Sequence, residues 1–409
     1  MKQRFHSLDI FRGATVCLMI LVNNPGSWAH IYPPLEHAPW HGLTPTDLVF
    51  PFFLFAVGNA LSFVMPGLEA RGPAVFWKKI GKRSLLIFAI GLFLTWWPFL
   101  KWTGDSLVFK PWEYVDEKGM PQGVRILGVL ARIAISYFFA SVIIYYLKAR
   151  GAFVAGMILL LLYWVLCFVL GDPLDPYSMT GYFGNGVDKA VLGIAHMYKG
   201  EGIPFDPEGI MSTLPAIVQV IFGFLVGDYI QKKASIPLPS QDIHADDLKT
   251  GKNFEMLSGL FVTGVAMLIT GYCWDKVFPI NKKIWTSSYV VYTTGLAILT
   301  IATMIYIVEL RRIRLWAGKF FDVFGKNALF VFALSAFLPK GLALIRIPNG
   351  TSPGGLPLYT DPWRFLYSNL YSKVPGDPRL GSLFFAITVI LFMWAICYWM
   401  DKKKIYVKV

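Results

Sequence analysis

AFVAGMILLLLYWVLCFVL, residues 152–170, is nineteen residues long and carries no charged side chain. A helix of that length rises about 28 Å, close to the roughly 30 Å hydrocarbon core of a bilayer. The rest of the chain agrees with this stretch. Of 409 residues, 55% are hydrophobic, 16% aromatic and only 15% charged. A soluble domain carries about 25% charged residues, and a soluble single core stops growing near about 250–300 residues. Working outward, ten segments read as spans: 9–27, 47–65, 84–100, 124–147, 152–170, 211–230, 254–272, 286–308, 327–345 and 380–400. The reading is an all-α polytopic membrane protein: one transmembrane domain over 1–409, with about ten transmembrane helices, both termini cytoplasmic and ordered outer loops.

Lysine and arginine give the orientation. The segments 1–8, 66–83, 148–151, 231–253, 309–326 and 401–409 hold 22 of them. The opposite loops, 28–46, 101–123, 171–210, 273–285 and 346–379, hold 12 over more residues. The first set is therefore cytoplasmic, and the net charge of +13 belongs to loops facing anionic lipid rather than to nucleic-acid binding. Asp9 and Arg12 interrupt the first apolar run, so no cleavable leader is expected. The four cysteines form no CxxC pair, which argues against a disulfide framework, a zinc ribbon or an iron–sulfur cluster. No Walker motif and no HExxH is present, and no metal is expected. The outer loops are rich in Trp, Pro, Gly and Tyr. They suit either a sugar-binding face or the membrane interface, and 363–374 reads as an amphipathic turn along that interface.

Polar residues inside spans are expensive and mark function or pairing. Asp9 and Arg12, three apart, fall on one helical face, as a structural ion pair or with Arg12 meeting a phosphate-bearing ligand. Asn23 lies about 21 Å of helix beyond Asp9, near the outer side. The loop that follows sets His37 and His41 close to Glu36 and Asp47, a pattern open to general-base chemistry, metal binding or plain solvation. Arg125 and Arg132, seven apart, are expected on one face of the fourth span. An arginine as deep as Arg132 needs an acidic partner such as Asp47 or Asp9, or an anionic ligand. Asn59, Gln219 and Asp228 read as helix-packing hydrogen-bonders, and Asn327 joins them on this reading.

Several runs together resemble a known family. They are Ser7-Leu8-Asp9-Ile10-Phe11-Arg12-Gly13, Val22-Asn23, His37-Ala38-Pro39-Trp40-His41-Gly42-Leu43-Thr44 and Asp47-Leu48-Val49-Phe50-Pro51-Phe52-Phe53. Further along come Arg125–Arg132, with Ala131 where the family usually has glutamine, Phe205–Ile210, Pro279–Tyr289 and Gly325-Lys326-Asn327-Ala328-Leu329. The chain resembles the heparan-α-glucosaminide N-acetyltransferase family of transmembrane acyltransferases, as a short bacterial member in an inner membrane. The resemblance implies acetyl-CoA as co-substrate, an acetyl group delivered to the amine of glucosamine or a glucosamine-ended saccharide across the membrane, and a homodimer. It carries the active-site histidine to His37 and the asparagine ending the first span to Asn23. His41 does not carry over.

On this reading His37 serves as base or as acetyl carrier, Asn23 donates to the thioester oxyanion, and Asp47 orients His37 or steadies the substrate ammonium. Arg12 and Arg132, with Lys326 and Asn327, are the candidates for holding CoA. A pantetheine arm of roughly 20 Å lets a nucleotide at the cytoplasmic mouth present its thioester near Asn23 and His37, against a core of about 30 Å. The alternatives are O-acylation of a cell-envelope glycan and a sugar permease. The absence of an internal repeat counts against the permease.

Overall fold

The computed structural model describes residues 5–116, 118–234, 243–313, 316–351 and 357–407, with 243–250 and 316–317 described as backbone only. Lys2, Arg4, Arg314 and Lys408, counted in the charge asymmetry, lie outside the described residues. Among the described residues the chain forms twelve helices and three two-stranded antiparallel hairpins. The helices are α1 His6–Asn23, α2 Val49–Glu69, α3 Pro73–Trp96, α4 Val129–Leu170, α5 Phe183–Leu192, α6 Thr213–Lys233, α7 Ile243–Asp275, α8 Ser287–Met304, α9 Trp316–Lys326, α10 Ala328–Leu342, α11 Pro362–Asn369 and α12 Pro378–Lys402. The hairpins pair β1 Leu100–Thr103 with β2 Ser106–Phe109, β3 Glu113–Val115 with β4 Pro121–Gly123, and β5 Ile347–Thr351 with β6 Pro357–Thr360.

Each of the ten segments read as spans falls on a helix. Length and apolarity alone return six spanning helices among the described residues: Pro45–Glu69, α4, α6, Gly251–Asp275, Ser287–Leu310 and α12. α9 and α10 make a seventh if their bent pair, 81° apart, counts as one. The physical reasons for the shorter count are visible. Two of the segments share α4, which turns at Lys148 (φ 57°). α1 carries Asp9 and Arg12, α3 opens with Lys78, Lys79, Lys82 and Arg83, and α10 has 15 residues against the roughly 20 that a span needs. The second half of α4 leaves Phe153, Ile158, Leu161, Val165 and Phe168 exposed along its length, a surface stable only in lipid. This is a multi-pass membrane bundle.

Buried residues of α1, α2, α4, α6, α8 and α12 form the main core, around Val16, Ile20, Leu54, Ala140, Val218, Tyr289 and Met393. α1 and α9 approach until only glycine fits: a Cβ on Gly13 would lie 1.8 Å from the Phe321 carbonyl oxygen, and one on Gly325 2.1 Å from that of Asp9. Such small-residue contacts are how helices pack in lipid.

The connections sort to two ends. At one, Ser7 meets Glu309, Arg12 meets Gly325, Lys148 meets Glu69 and Lys326 meets Asp401, so the beginning of α1 and the end of α12 lie together. At the other, the long aromatic loops join: Trp40 to Tyr177, His41 to Asn281, Arg125 to Asp206, and Trp102 to Leu344. The 171–210 loop, without periodicity in sequence, is ordered and contains α5. The 363–374 turn is α11 and its continuation, with Trp363, Tyr367 and Tyr371 edge-on to Phe385 of α12.

Candidate active site

The site begins with a local rule of helix starts. Thr44-Pro45-Thr46-Asp47 forms a capping box at the short helical turn Pro45–Leu48. The Asp47 carboxylate accepts from the Thr44 backbone N–H at 3.1 Å, and proline holds the first position. The same oxygen accepts from Ala38 N–H at 3.1 Å. The other oxygen, Oδ1, lies 2.7 Å from His37 Nδ1 and 3.5 Å from Lys282 Nζ. Asp47 is buried and its carbonyl oxygen accepts from the Tyr289 hydroxyl at 2.6 Å, whereas His37 is half exposed. The carboxylate therefore accepts a hydrogen bond from Nδ1–H and leaves Nε2 as the basic position of the ring.

Lys282 is presented by the loop between α7 and α8. Asn281 organises that loop: its side-chain oxygen accepts from Lys283 N–H at 2.7 Å and Ile284 N–H at 3.1 Å, and its own N–H donates to the Thr286 hydroxyl. Trp285 takes φ 52°, and its ring packs edge-on to Phe50 and Tyr289 with the Arg132 guanidinium 5.0 Å from its centre. The Lys282 amine lies 3.1–3.3 Å from the His37 ring nitrogens. Burial lowers its pKa from the ordinary lysine value, although Asp47 and Glu208 favour the charge. His41 meets Asn281 instead, and burial holds its pKa below the ordinary imidazole value.

His37, Asn23, Lys282 and Glu208 line one cavity of about 160 Å³, walled by Met19, Val22, Phe50, Phe53, Ile133 and Phe332. Asn23 ends α1 with its side chain exposed, while its neighbour Asn24 turns back to the Ile20 carbonyl. Glu208 belongs to an ion cluster: Arg125 binds Asp206 through two nitrogens (2.6 and 3.0 Å) and also bonds Glu208. Burial opposes the Glu208 charge, but Arg125 and Arg132 hold its pKa below the usual carboxylate value. Arg125 in turn is pushed above the ordinary arginine value by these acids.

Of the residues singled out in the sequence, His37, Asn23 and Asp47 come together. The four read as CoA candidates do not form one cluster. Arg132 lies at the His37 end, fully buried, bonded to the Gly209 carbonyl and the Ser212 hydroxyl, and paired with neither Asp47 nor Asp9. Arg125 is not on its helical face, because α4 starts at Val129 and Arg125 belongs to the preceding loop. At the opposite end Arg12 pairs with Asp9 at 3.3 Å and donates to the Gly325 carbonyl, Lys326 binds Asp322 and Asp401, and Asn327 bonds the backbone of Ile405 and Val407. These contacts tie α1, α9 and α12 together. Beside them lies a cavity of about 1030 Å³ whose lining includes His6, Arg312 and Lys319. Gln219 bonds Thr294, as a packing residue would. No three His, Cys, Asp or Glu side chains converge to hold a metal ion among the described residues. Lys282 and Glu208 received no role from sequence. Their only signal was membership of the Pro279–Tyr289 and Phe205–Ile210 runs.

Fold and site define a helical membrane protein with a His–Asp pair, a lysine and an asparagine gathered at one end of the bundle. No family model matches the chain. It is similar to the heparan-alpha-glucosaminide N-acetyltransferase of Homo sapiens, 27% identical over 379 residues, covering 80% of this chain and 52% of that protein. It is also similar to that of Mus musculus, 24% identical over 381 residues, covering 80% and 53%. The chain spans about half the length of the curated relatives it matches. Both similarities support the family resemblance read from the motifs.

Proposed function

We propose that this chain is a transmembrane N-acetyltransferase, moving acetyl from cytosolic acetyl-CoA to the amine of a glucosamine-type sugar on the periplasmic side of a bacterial inner membrane. The observation that carries the reading is the shared cavity. His37, its Nδ1 bonded to Asp47, lines the same space as the exposed side chain of Asn23. At about 160 Å³ the space suits a thioester and an amine, with the rest of a saccharide in the mouth.

His37 Nε2 takes a proton from the acceptor amine as its nitrogen attacks the thioester carbon. Asn23 donates to the carbonyl oxygen as it gains charge, a contact typically worth about 2.7–4 kcal/mol of barrier. The C–S bond then breaks, and the proton held on His37 can pass to the leaving sulfur. Asp47 stabilises the imidazolium, and Lys282, beside both groups, limits how much charge that imidazolium can hold. The large cavity at the opposite end is lined by Arg312 and Lys319, cations that suit a nucleotide's phosphates, together with His6 and the acids Glu309 and Asp322. We assign the nucleotide to this space of about 1030 Å³, with Arg12, Lys326 and Asn327 holding together the helices beside it.

The test follows CoA release from acetyl-CoA by detergent-purified protein with and without glucosamine. Glucosamine-dependent release that disappears in His37→Ala supports the reading. Release that responds only to hydroxyl acceptors moves it to O-acylation, and none with any acceptor refutes it.

A further inference from the structure

We propose that the cleft between the β1–β2 hairpin and the end of α10 is an anion-binding site for a phosphate- or sulfate-type group. Lys101, Lys110 and Lys340 converge on a cavity of about 320 Å³ walled by Trp97 and Trp102. No ion pair joins any of the three to a carboxylate among the described residues. The nearby acid Asp105 is turned to Arg346. Three like charges around one space repel one another, and a shared anion relieves that repulsion. Burial and the charge of Lys101 together lower the pKa of Lys110 from the ordinary lysine value, so the repulsion is felt in this structure.

The walls are fixed. The indole N–H of Trp97 donates to the Phe337 carbonyl at 3.0 Å, that of Trp102 to Leu344 at 3.1 Å, and that of Trp96 to the Lys110 carbonyl at 3.0 Å. Lys340 is steadied by the Leu94 carbonyl at 2.6 Å, and Lys101 lies 3.7 Å from the centre of the Tyr114 ring. A tetrahedral oxyanion offers one oxygen to each ammonium, and the indole faces pack against the carbon skeleton that carries it. A carboxylate, with two oxygens, satisfies the three lysines less completely. Such a group can come from a soluble phosphorylated or sulfated saccharide, or from a lipid headgroup.

The cleft shares no lining residue with the cavity of His37 and Asn23, and its test does not depend on turnover. Lipid-stripped protein in detergent is dialysed to equilibrium against radiolabelled inorganic phosphate at fixed ionic strength. Wild type binds saturably, and Lys101→Gln/Lys110→Gln weakens binding by at least about tenfold with an unchanged melting temperature. Lys340→Gln is the second variant, should the first fold poorly. Protein in nanodiscs of phosphatidylcholine, with or without phosphatidylglycerol, separates the sources. Phosphate binding suppressed only by phosphatidylglycerol assigns a headgroup, and binding indifferent to it assigns a soluble anion. Phosphate binding absent from wild type, or equal in wild type and both variants, overturns the proposal.

Discussion

Replacing Asp47 by asparagine exchanges one carboxylate oxygen for an NH₂ group and should remove the proposed base. Oδ2 accepts from two backbone donors, Ala38 N–H and Thr44 N–H, each at 3.1 Å, so only an oxygen fits there. The asparagine amide therefore turns its carbonyl to those donors and its NH₂ to the place of Oδ1, 2.7 Å from His37 Nδ1. Two donors cannot face each other, so Nδ1 gives up its proton and the ring carries it on Nε2. A positioned base contributes about 10²–10⁴ in rate, or about 2.7–5.4 kcal/mol at 1.36 kcal/mol per decade, and that is the expected fall in kcat. Stability should suffer less. The backbone contacts weaken from charge-assisted bonds of about 1.5–3 kcal/mol to neutral ones of about 0.5–1.5 kcal/mol. The assay is glucosamine-dependent CoA release for wild type, Asp47→Asn, His37→Ala and the double variant, with melting curves alongside. Asp47→Asn should approach His37→Ala, and the double should fall no further, because both remove one unit. A folded Asp47→Asn protein with wild-type turnover would refute the tautomer argument.

Asn23→Ala should cost about 10²–10³ in kcat with little change in KM, read from saturation curves in acetyl-CoA. Asp188, buried beside Gly209 and accepting from Ile210 N–H, has its pKa raised from 3.8 to about 6 by burial. The folded state thus holds that proton more tightly than the unfolded chain, and stability falls as pH rises from about 4 to about 6, by at most about 3 kcal/mol. Asp188→Asn should therefore raise the melting temperature above pH 6 and leave it unchanged near pH 4, as a melting series across that range would show. Gly13→Ala and Gly325→Ala each drive a methyl into backbone carbonyls and should destabilise by about 1–3 kcal/mol or more, seen in thermal melts of the purified protein.

Local patterns were readable in the sequence and distant ones were not. Asp9 and Arg12, three apart, pair as the helical repeat requires, and the apolar segments fall on helices, which satisfy their own backbone without water. The nearness of His37 to Asp47 follows from ten residues of connecting chain and a capping box. Arg125 was read into a helix that Gly128 delays until Val129, leaving the arginine free to reach Asp206, 81 positions away. Lys282 reaches His37 across 245 positions, which no spacing rule can foresee. Arg132 needed an acidic partner on depth alone, yet found a carbonyl, a hydroxyl and the face of Trp285, all supplied by loops that only the fold brings near.

Trp285 has a consequence for the energetics of turnover. A side chain at φ 52° costs of order 1–3 kcal/mol and persists only where its surroundings over-determine it, as Phe50, Tyr289 and Arg132 do here. That cost falls on the folding free energy, once, and would be absent from the proposed catalytic cycle. The loop carrying Lys282 is preorganised, and in the proposed reaction an acceptor would meet a site with little left to rearrange. A glycine at 285 would relax the backbone and release the ring's neighbours together. The chain would gain local comfort, and Lys282 would have to be ordered anew, against its own entropy, at every encounter.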